Sequence, residues 1–357
     1  MALQTVTALQ EAGNQVTVVL PNEGPLSERM REIATRVIVL PVAVTRKEYL
    51  SPVGLVKLAL WSVSSMVSAI KLIRKVQPEI VFVNTLTQPV WILAAKALRL
   101  RTICHVREIE SGSSKVVQAA LVLPLIFVDT VICNSESTRK FVLTSSPFRI
   151  RHSQVIYNGK NWEPYFRSEP IRQSSDHIRI LVIGRISPRK GQDVVLRAAS
   201  KVASGGVSLS ITFAGDIFPG YEWFKEELLS LQTELSGDID YKYVGFVNDI
   251  AEVLENCDLV IVPSRQEPFG TVAAEAMAAM RTTIVSNVEG LVEIVTNEET
   301  GFVFQSEDSD ALCTIINKLI RDDELSRSVA HRGFRHVRDT FSEEMYNSRI
   351  LNVIEEI

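Results

Sequence analysis

The chain has 357 residues, 46% of them apolar and 22% charged, with a formal net charge of −4. At roughly 100–200 residues per domain that length implies two domains, and the ordinary globular composition excludes disordered, collagen-like and mucin-like classes. Cys104, Cys133, Cys257 and Cys313 are scattered, with no CxxC and no Cys/His cluster at zinc spacing, which argues against a disulfide scaffold or a zinc module and for buried thiols in a reducing compartment. The small net charge conceals a division: residues 1–165 hold 19 Lys+Arg and 11 Asp+Glu, a balance of +8, and the remainder 19 and 31, a balance of −12. Such asymmetry speaks of partners rather than of fold.

At the start, residues 1–16 lack the basic region and unbroken apolar core of a secretory leader. Residues 2–12 place Leu3, Val6 and Leu9 on one helical face, and Gly13-Asn14 follows as a C-cap. Strands are predicted at 16–21, 36–41, 79–84, 102–106, 130–135 and 153–158, with helices at 54–76, 88–99 and 135–144. These strands are Val- and Ile-rich and do not alternate, as expected of strands buried on both faces. Neither 53–73 nor 116–133 supplies the ~20 predominantly apolar residues of a membrane span. The polar, proline-containing stretch 161–177 suits an inter-domain linker.

The second half repeats the alternation. Strands are predicted at 178–184, 208–215, 240–246, 258–264, 282–287 and 301–305, and helices at 191–203, 221–235, 249–255, 271–280, 289–297 and 308–321. Alternating strands and helices imply parallel sheets. The predicted fold class is α/β: two doubly wound Rossmann-like domains, 1–165 and 166–340, facing a central cleft, with 341–357 as a C-terminal helix packing back on the first. Ligands of such sheets bind beyond the carboxyl ends of the strands. The first domain opens on a helix with no strand before it. That pattern predicts a sheet short of its central first strand and Gly-rich turn, and leaves open a fold that begins on a helix.

Two segments carry chemistry. In SRQEPFGTVAAEAMA (264–278), Glu267 lies in the loop after a buried strand and Glu275 in the second turn of the helix that follows, whose N-terminal N–H groups suit an anion. In IRILVIGRISPRKGQDVVLRA (178–198), Gly184 ends a strand, Arg185 follows, and Lys190-Gly191 opens a helix. Two cations at the carboxyl end of a strand suit a diphosphate. Each signal has a bland alternative, a solvated helix face and a pair of exposed loop cations respectively.

In this order and spacing, Gly184-Arg185 with Lys190-Gly191, Pro263-Ser264, Glu267 to Glu275, Glu293-Ile294-Val295 and Thr300-Gly301-Phe302 resemble the retaining, GT-B-fold glycosyltransferases of group 1 (family 4). The resemblance implies a catalytic set of Arg185, Lys190, Glu267 and His105. Arg185 and Lys190 would stabilise the leaving diphosphate, Glu267 would hold donor-sugar hydroxyls, and His105 would lie near the reacting centre. It implies donor binding by Gly184 and by the backbone around Phe269, Gly270 and Thr271, with Glu275 on the ribose and the base near Gly245, Phe246 and Val247. Asn134-Ser135 and Asn158-Gly159 match weaker landmarks. The implied activity is sugar transfer with retention from a UDP- or GDP-sugar to a saccharide or lipid-linked acceptor, in envelope polysaccharide or glycolipid synthesis, with no metal and no other cofactor. A catalytically inactive nucleotide- or sugar-binding protein and a UDP-GlcNAc epimerase of the same fold are the alternatives.

The sequence departs from the family pattern at the Gly-rich turn, at Met280 where glycine is usual, and at Glu289-Gly290 where Gly-Gly is usual. Asp238/Asp240 and Asp308/Asp310 are read as solvated loop acids. His331 and His336 are read as surface residues of a late helix. Arg46, Lys47, Lys57, Lys71, Arg74 and Lys75 flank Leu55, Leu58, Leu60 and Trp61, a surface suited to anionic lipid headgroups, with a core helix bearing solubilising ends as the equal alternative. The expected location is the cytoplasm, with peripheral attachment to the inner face of the membrane, and no nucleic-acid partner is expected.

Overall fold

Residues 1–45, 52–166, 177–235 and 237–357 are described by the computed structural model. They divide into two units. Unit 1 comprises Met1–Gly159 and Glu343–Ile357, and unit 2 Lys160–Ser342. Of the stretch read as a linker, 167–176 lie outside the described residues.

Unit 1 begins with α1 (Ala2–Glu11), β1 (Thr17–Leu20), α2 (Pro25–Ile33), β2 (Arg36–Val39) and the 25-residue α3 (Pro52–Val76). It continues with β3 (Ile80–Val83), α4 (Pro89–Ala97), β4 (Arg101–Val106), α5 (Lys115–Val122), β5 (Thr130–Cys133), α6 (Glu136–Ser145) and β6 (Ser153–Val155). All pairings are parallel, because each strand is followed by a helix that returns the chain to the same end. The strands fall into two sheets, β1-β2 and β3-β4-β5-β6. The helix α14 (Glu343–Glu356) belongs to this unit and closes a core over Ile103, Ile132 and Ile156 with Tyr346, Ile350 and Val353.

Unit 2 runs β7 (His177–Ile183), α7 (Gln192–Ala203), β8 (Ser208–Ala214), α8 (Glu222–Glu234), β9 (Ile239–Gly245), α9 (Ile250–Glu255) and β10 (Leu259–Val262). It ends with α10 (Thr271–Ala278), β11 (Thr282–Ser286), α11 (Leu291–Ile294), β12 (Phe302–Phe304), α12 (Ser309–Arg321) and α13 (Asp323–Thr340). One six-stranded parallel sheet has the order β12-β11-β10-β7-β8-β9. The direction of winding reverses between β7 and β10, which makes their carboxyl ends the topological switch point. Val, Ile and Leu side chains from β7, β8 and β10 fill the core beneath it with α7 and α12. In the first unit's sheets, by comparison, no strand among the described residues joins β1 to β3 in the way β7 joins β8 to β10.

Two local readings change. His336 is not a surface residue: it is half-buried, its ring set edge-on to Phe341 at 5.5 Å, and burial lowers its pKa. Of the two acidic triplets, Asp308 caps α12 through the N–H groups of Asp310 and Ala311, and Asp310 pairs with Lys201 at 2.7 Å. A capping carboxylate is a structural element of the helix terminus.

Candidate functional site

The site is built on the loops that leave β7 and β10. Gly184 ends β7 at φ +150, and the Lys190 side chain lies over it. Arg185 is exposed and sits on the Phe218 ring, 5.3 Å from its centroid. The turn Pro188–Lys190 then delivers the chain to α7 through Gly191 in the left-handed conformation (φ +66). A Cβ there would come within 2.1 Å of the Pro263 carbonyl oxygen, so only glycine lets the two loops approach this closely.

That approach brings the predicted residues of the two motifs together. Lys190 Nζ donates to Glu267 Oε2 at 2.5 Å, and both side chains are largely shielded from solvent. The Glu267 backbone N–H donates to Glu289 Oε2 at 2.7 Å, and its carbonyl accepts from Gly290 N–H at 3.0 Å. A second cation clamps the same loops. Arg265 bonds both carboxylate oxygens of Asp193 at 2.9 Å, the Pro188 carbonyl at 2.6 Å and Glu307 at 2.8 Å. Its hydrogen bonds to Asp193 raise its pKa further above an already high value. A planar guanidinium satisfied on both edges acts as a rigid brace.

α10 starts at Gly270 (φ +102), directly after buried Phe269, and its first residue Thr271 is partly exposed. Its free N–H groups face the end of the helix where an anion is favoured. Glu275, one turn in, is only 4% exposed. It is bound by Lys160 Nζ at 2.7 Å and by the Tyr165 hydroxyl at 3.2 Å. At the end of β9, Gly245 takes φ +67; beyond it Phe246 is 70% exposed while its N–H donates to Asp216 Oδ1 at 2.9 Å, and Val247 is partly exposed. The carboxyl edge of one sheet therefore carries Arg185, Lys190, Glu267 and the α10 N terminus together, with Phe246 and Val247 at the end of β9.

His105 lies in unit 1, in β4, and is fully buried. Its ring packs between Phe82 and Tyr346, and Arg107 Nη2 approaches Nδ1 at 3.3 Å. Burial, reinforced by the Arg107 charge, holds its pKa well below the usual value, so the ring is neutral. Nε2 is buried, without a hydrogen-bond partner among the described residues.

Sequence reasoning missed Lys160, Tyr165, Asp193, Arg265 and Glu289. Lys160 and Tyr165 are more than a hundred positions from Glu275, and no local pattern announces such a pair. The departures at Met280 and Glu289 acquire a geometric meaning: both residues have positive φ, +52 and +41. That region disfavours any residue but glycine by roughly 1–2 kcal/mol.

Two parallel α/β units, the second wound in both directions from a switch point where cations and carboxylates gather, define a protein of the Rossmann-like class. Residues 1–161 match the family described as Glycosyltransferase Family 4, and residues 167–336 match Glycosyl transferases group 1. The chain belongs to the GT-B glycosyltransferases of group 1. It is 27% identical over 256 residues to an uncharacterized glycosyltransferase of Methanocaldococcus jannaschii, covering 68% of this chain and 64% of that one. It is also 27% identical over 290 residues to the capsular polysaccharide biosynthesis glycosyltransferase CapM of Staphylococcus aureus, covering 73% and 71%. The first of these matches spans slightly under two thirds of its relative's length. Among solved structures, Anabaena HepE in complex with UDP and glucose shares the fold, with a TM-score of 0.82, 22% identity and coverage of 99% of this chain and 95% of that chain.

Proposed function

We propose that the chain moves a sugar, with retention, from a UDP- or GDP-sugar to a saccharide or lipid-linked acceptor of envelope polysaccharide or glycolipid synthesis. The observation that carries this is the Lys190–Glu267 contact at the switch point, with Arg185 exposed on the same loop against the Phe218 ring. Two cations next to a carboxylate suit a diphosphate whose charge grows as the sugar–phosphate bond breaks, together with a sugar whose hydroxyls the carboxylate accepts. Electrostatic stabilisation of that developing charge is typically the largest catalytic contribution, and here it is assigned to Arg185 and Lys190 without a metal. Gly184 and the N–H groups at Phe269, Gly270 and Thr271 take phosphate oxygens, Glu275 takes the ribose, and the Phe246-Val247 loop takes the base. His105, fully buried in β4, offers no exposed ring atom to a ligand, and its assignment near the reacting centre rests on the resemblance alone. HepE, crystallised with UDP and glucose, and CapM, of capsular polysaccharide biosynthesis, support the donor and acceptor classes.

Nucleoside diphosphate release and the anomeric proton signal of the product test this reading. A product with the donor's anomeric configuration supports retention, and inversion refutes it. Binding without release under any donor and acceptor pairing favours an inactive binding protein. Acceptor-independent consumption of UDP-GlcNAc, with epimerisation at C2, favours an epimerase.

A lipid surface is proposed as the place of work, on the cytoplasmic face of the membrane. The outer face of α3 exposes Leu60 (70%), Val63 (66%) and Val67 (50%) with Trp61 beside them. The helix carries Lys57, Lys71, Arg74 and Lys75 and no acidic residue. Arg46 and Lys47 lie outside the described residues, as do the Leu55 and Leu58 side chains. Among the described residues no helix is long and apolar enough to cross a membrane; the proposal is that α3 lies on the bilayer by its apolar face. Flotation with anionic vesicles at low salt, lost at high salt or with neutral lipid, supports the surface; indifference to lipid charge removes it.

A further inference from the structure

Lys160 opens unit 2 and is held at the end of α13. Its N–H donates to the Phe341 carbonyl at 3.1 Å, and the Trp162 indole donates to the same oxygen at 2.9 Å. Trp162 meets Tyr165 edge-on at 5.9 Å, which fixes the Glu163–Tyr165 turn. From this anchored segment two donors converge on one atom. Lys160 Nζ bonds the Tyr165 hydroxyl and Glu275 Oε1, and the Tyr165 hydroxyl bonds the same Oε1.

The convergence has two consequences. A carboxylate buried to the extent of Glu275 is stable as an anion only when paired and hydrogen-bonded, and Lys160 supplies the counter-charge. Burial works against the ammonium, yet the Glu275 charge and both hydrogen bonds raise its pKa overall, so it stays cationic. Burial, with Glu275 beside it, raises the Tyr165 pKa, so its hydroxyl stays a donor. Second, among the described residues every side-chain bond to Glu275 ends on Oε1. Two donors on one oxygen fix the plane of the carboxylate and leave Oε2 as its acceptor for a ligand.

We propose that Lys160 and Tyr165 are positioning residues of the nucleoside subsite, holding Glu275 as an oriented anion so that Oε2 accepts from the vicinal hydroxyls of a ribonucleoside diphosphate. The proposal rests on the assignment of Glu275 to the ribose. It makes Lys160 selective for ribo- over deoxyribonucleotides although it contacts neither hydroxyl.

Calorimetric titration of the full chain with UDP and GDP, and with their 2′,3′-dideoxy forms, tests it. Lys160→Met lowers ribonucleotide affinity about tenfold, about 1.4 kcal/mol, and dideoxy affinity less than about twofold. Lys160→Arg restores most of the loss, and Tyr165→Phe, which keeps the ring packing, gives a smaller loss in the same direction. With a nucleotide-sugar substrate, KM rises and kcat stays within a small factor. Equal weakening of ribo and dideoxy forms by Lys160→Met marks a merely structural role and overturns the proposal. If Glu275→Ala weakens ribonucleotide binding and Lys160→Met does not, the proposal fails while Glu275 keeps its assignment. If Glu275→Ala changes nothing, that assignment fails and the proposal with it.

Discussion

Replacing Gly191 with alanine tests the claim that the β7 and β10 loops depend on one close approach. Gly191 sits at φ +66, where an L side chain is disfavoured by roughly 1–2 kcal/mol. Its new Cβ would stand 2.1 Å from the Pro263 oxygen and 3.0 Å from the Pro263 carbonyl carbon. A carbon–oxygen contact needs about 3.3 Å, so the loops must part by about 1 Å, at an overpacking cost of roughly 1–3 kcal/mol. The predicted loss is therefore about 2–5 kcal/mol, a large share of a typical stability of roughly 5–15 kcal/mol. Lys190 immediately precedes Gly191, and Pro263 lies four residues before Glu267. The same separation thus acts on the 2.5 Å Lys190–Glu267 bond, and nucleoside diphosphate affinity falls with stability. Gly206→Ala is the control: φ is +87, but no atom lies within 4 Å of its Cβ, so only the backbone strain applies. Urea midpoints at constant m, read beside UDP and GDP titrations, separate the two effects. Equal losses for both variants, or a Gly191→Ala change below about 0.5 kcal/mol, would refute the reasoning.

Other outcomes follow from the same geometry. Lys190→Ala should lower kcat by roughly 10²–10³, the usual loss for one electrostatic stabiliser of a developing anion; unchanged single-turnover rates would remove Lys190 from the catalytic set. His105, held neutral by burial in the folded chain, is free to protonate near 6.5 when unfolded. Its folded pKa is depressed, so the unfolded state binds more protons as pH falls. Stability is therefore lost below about pH 6.5, by about 1.4 kcal/mol per pH unit per such group. His336 adds in the same direction. His105→Gln should flatten this slope in urea midpoints taken at pH 7.5 and 5.5; an unaltered slope contradicts the assignment. Met280→Gly should destabilise the chain despite relieving positive φ, because Met280 is buried and deleting a buried side chain of this size removes roughly 2–5 kcal/mol; a gain in stability would show that strain dominates there.

The second unit was readable from sequence because its signals are local. Buried strands such as Leu259–Val262 are continuous apolar runs, Gly191 and Gly270 mark the turns, and Lys190 and Glu267 each occupy a loop just beyond a strand. Their meeting follows from the order of the sheet, β7 beside β10, which βα alternation does not by itself fix. What escaped reading depends on distance in the chain. Lys160 and Tyr165 reach Glu275, Arg265 reaches Asp193, and Glu289 reaches the Glu267 N–H, and none of these pairs leaves a periodic trace. His336 was misread for a related reason. A polar residue on a charged helix reads as exposed, but the Phe341 ring and the Ile294 backbone lie against it. Along the chain the units divide after Gly159, at the edge of the polar stretch 161–177, and again after Ser342.

The central claim is that the β7 and β10 loops form a nucleoside diphosphate site, and calorimetric titration of UDP and GDP into the full chain tests it most directly. The account predicts saturable one-to-one binding of at least one of them. Binding should weaken about tenfold or more in Arg185→Ala and in Lys190→Ala, since each removes a charge-assisted contact, and should remain unchanged in Lys242→Ala, an exposed cation on β9. Absence of binding by both nucleotides, or binding indifferent to Arg185 and Lys190, would contradict it.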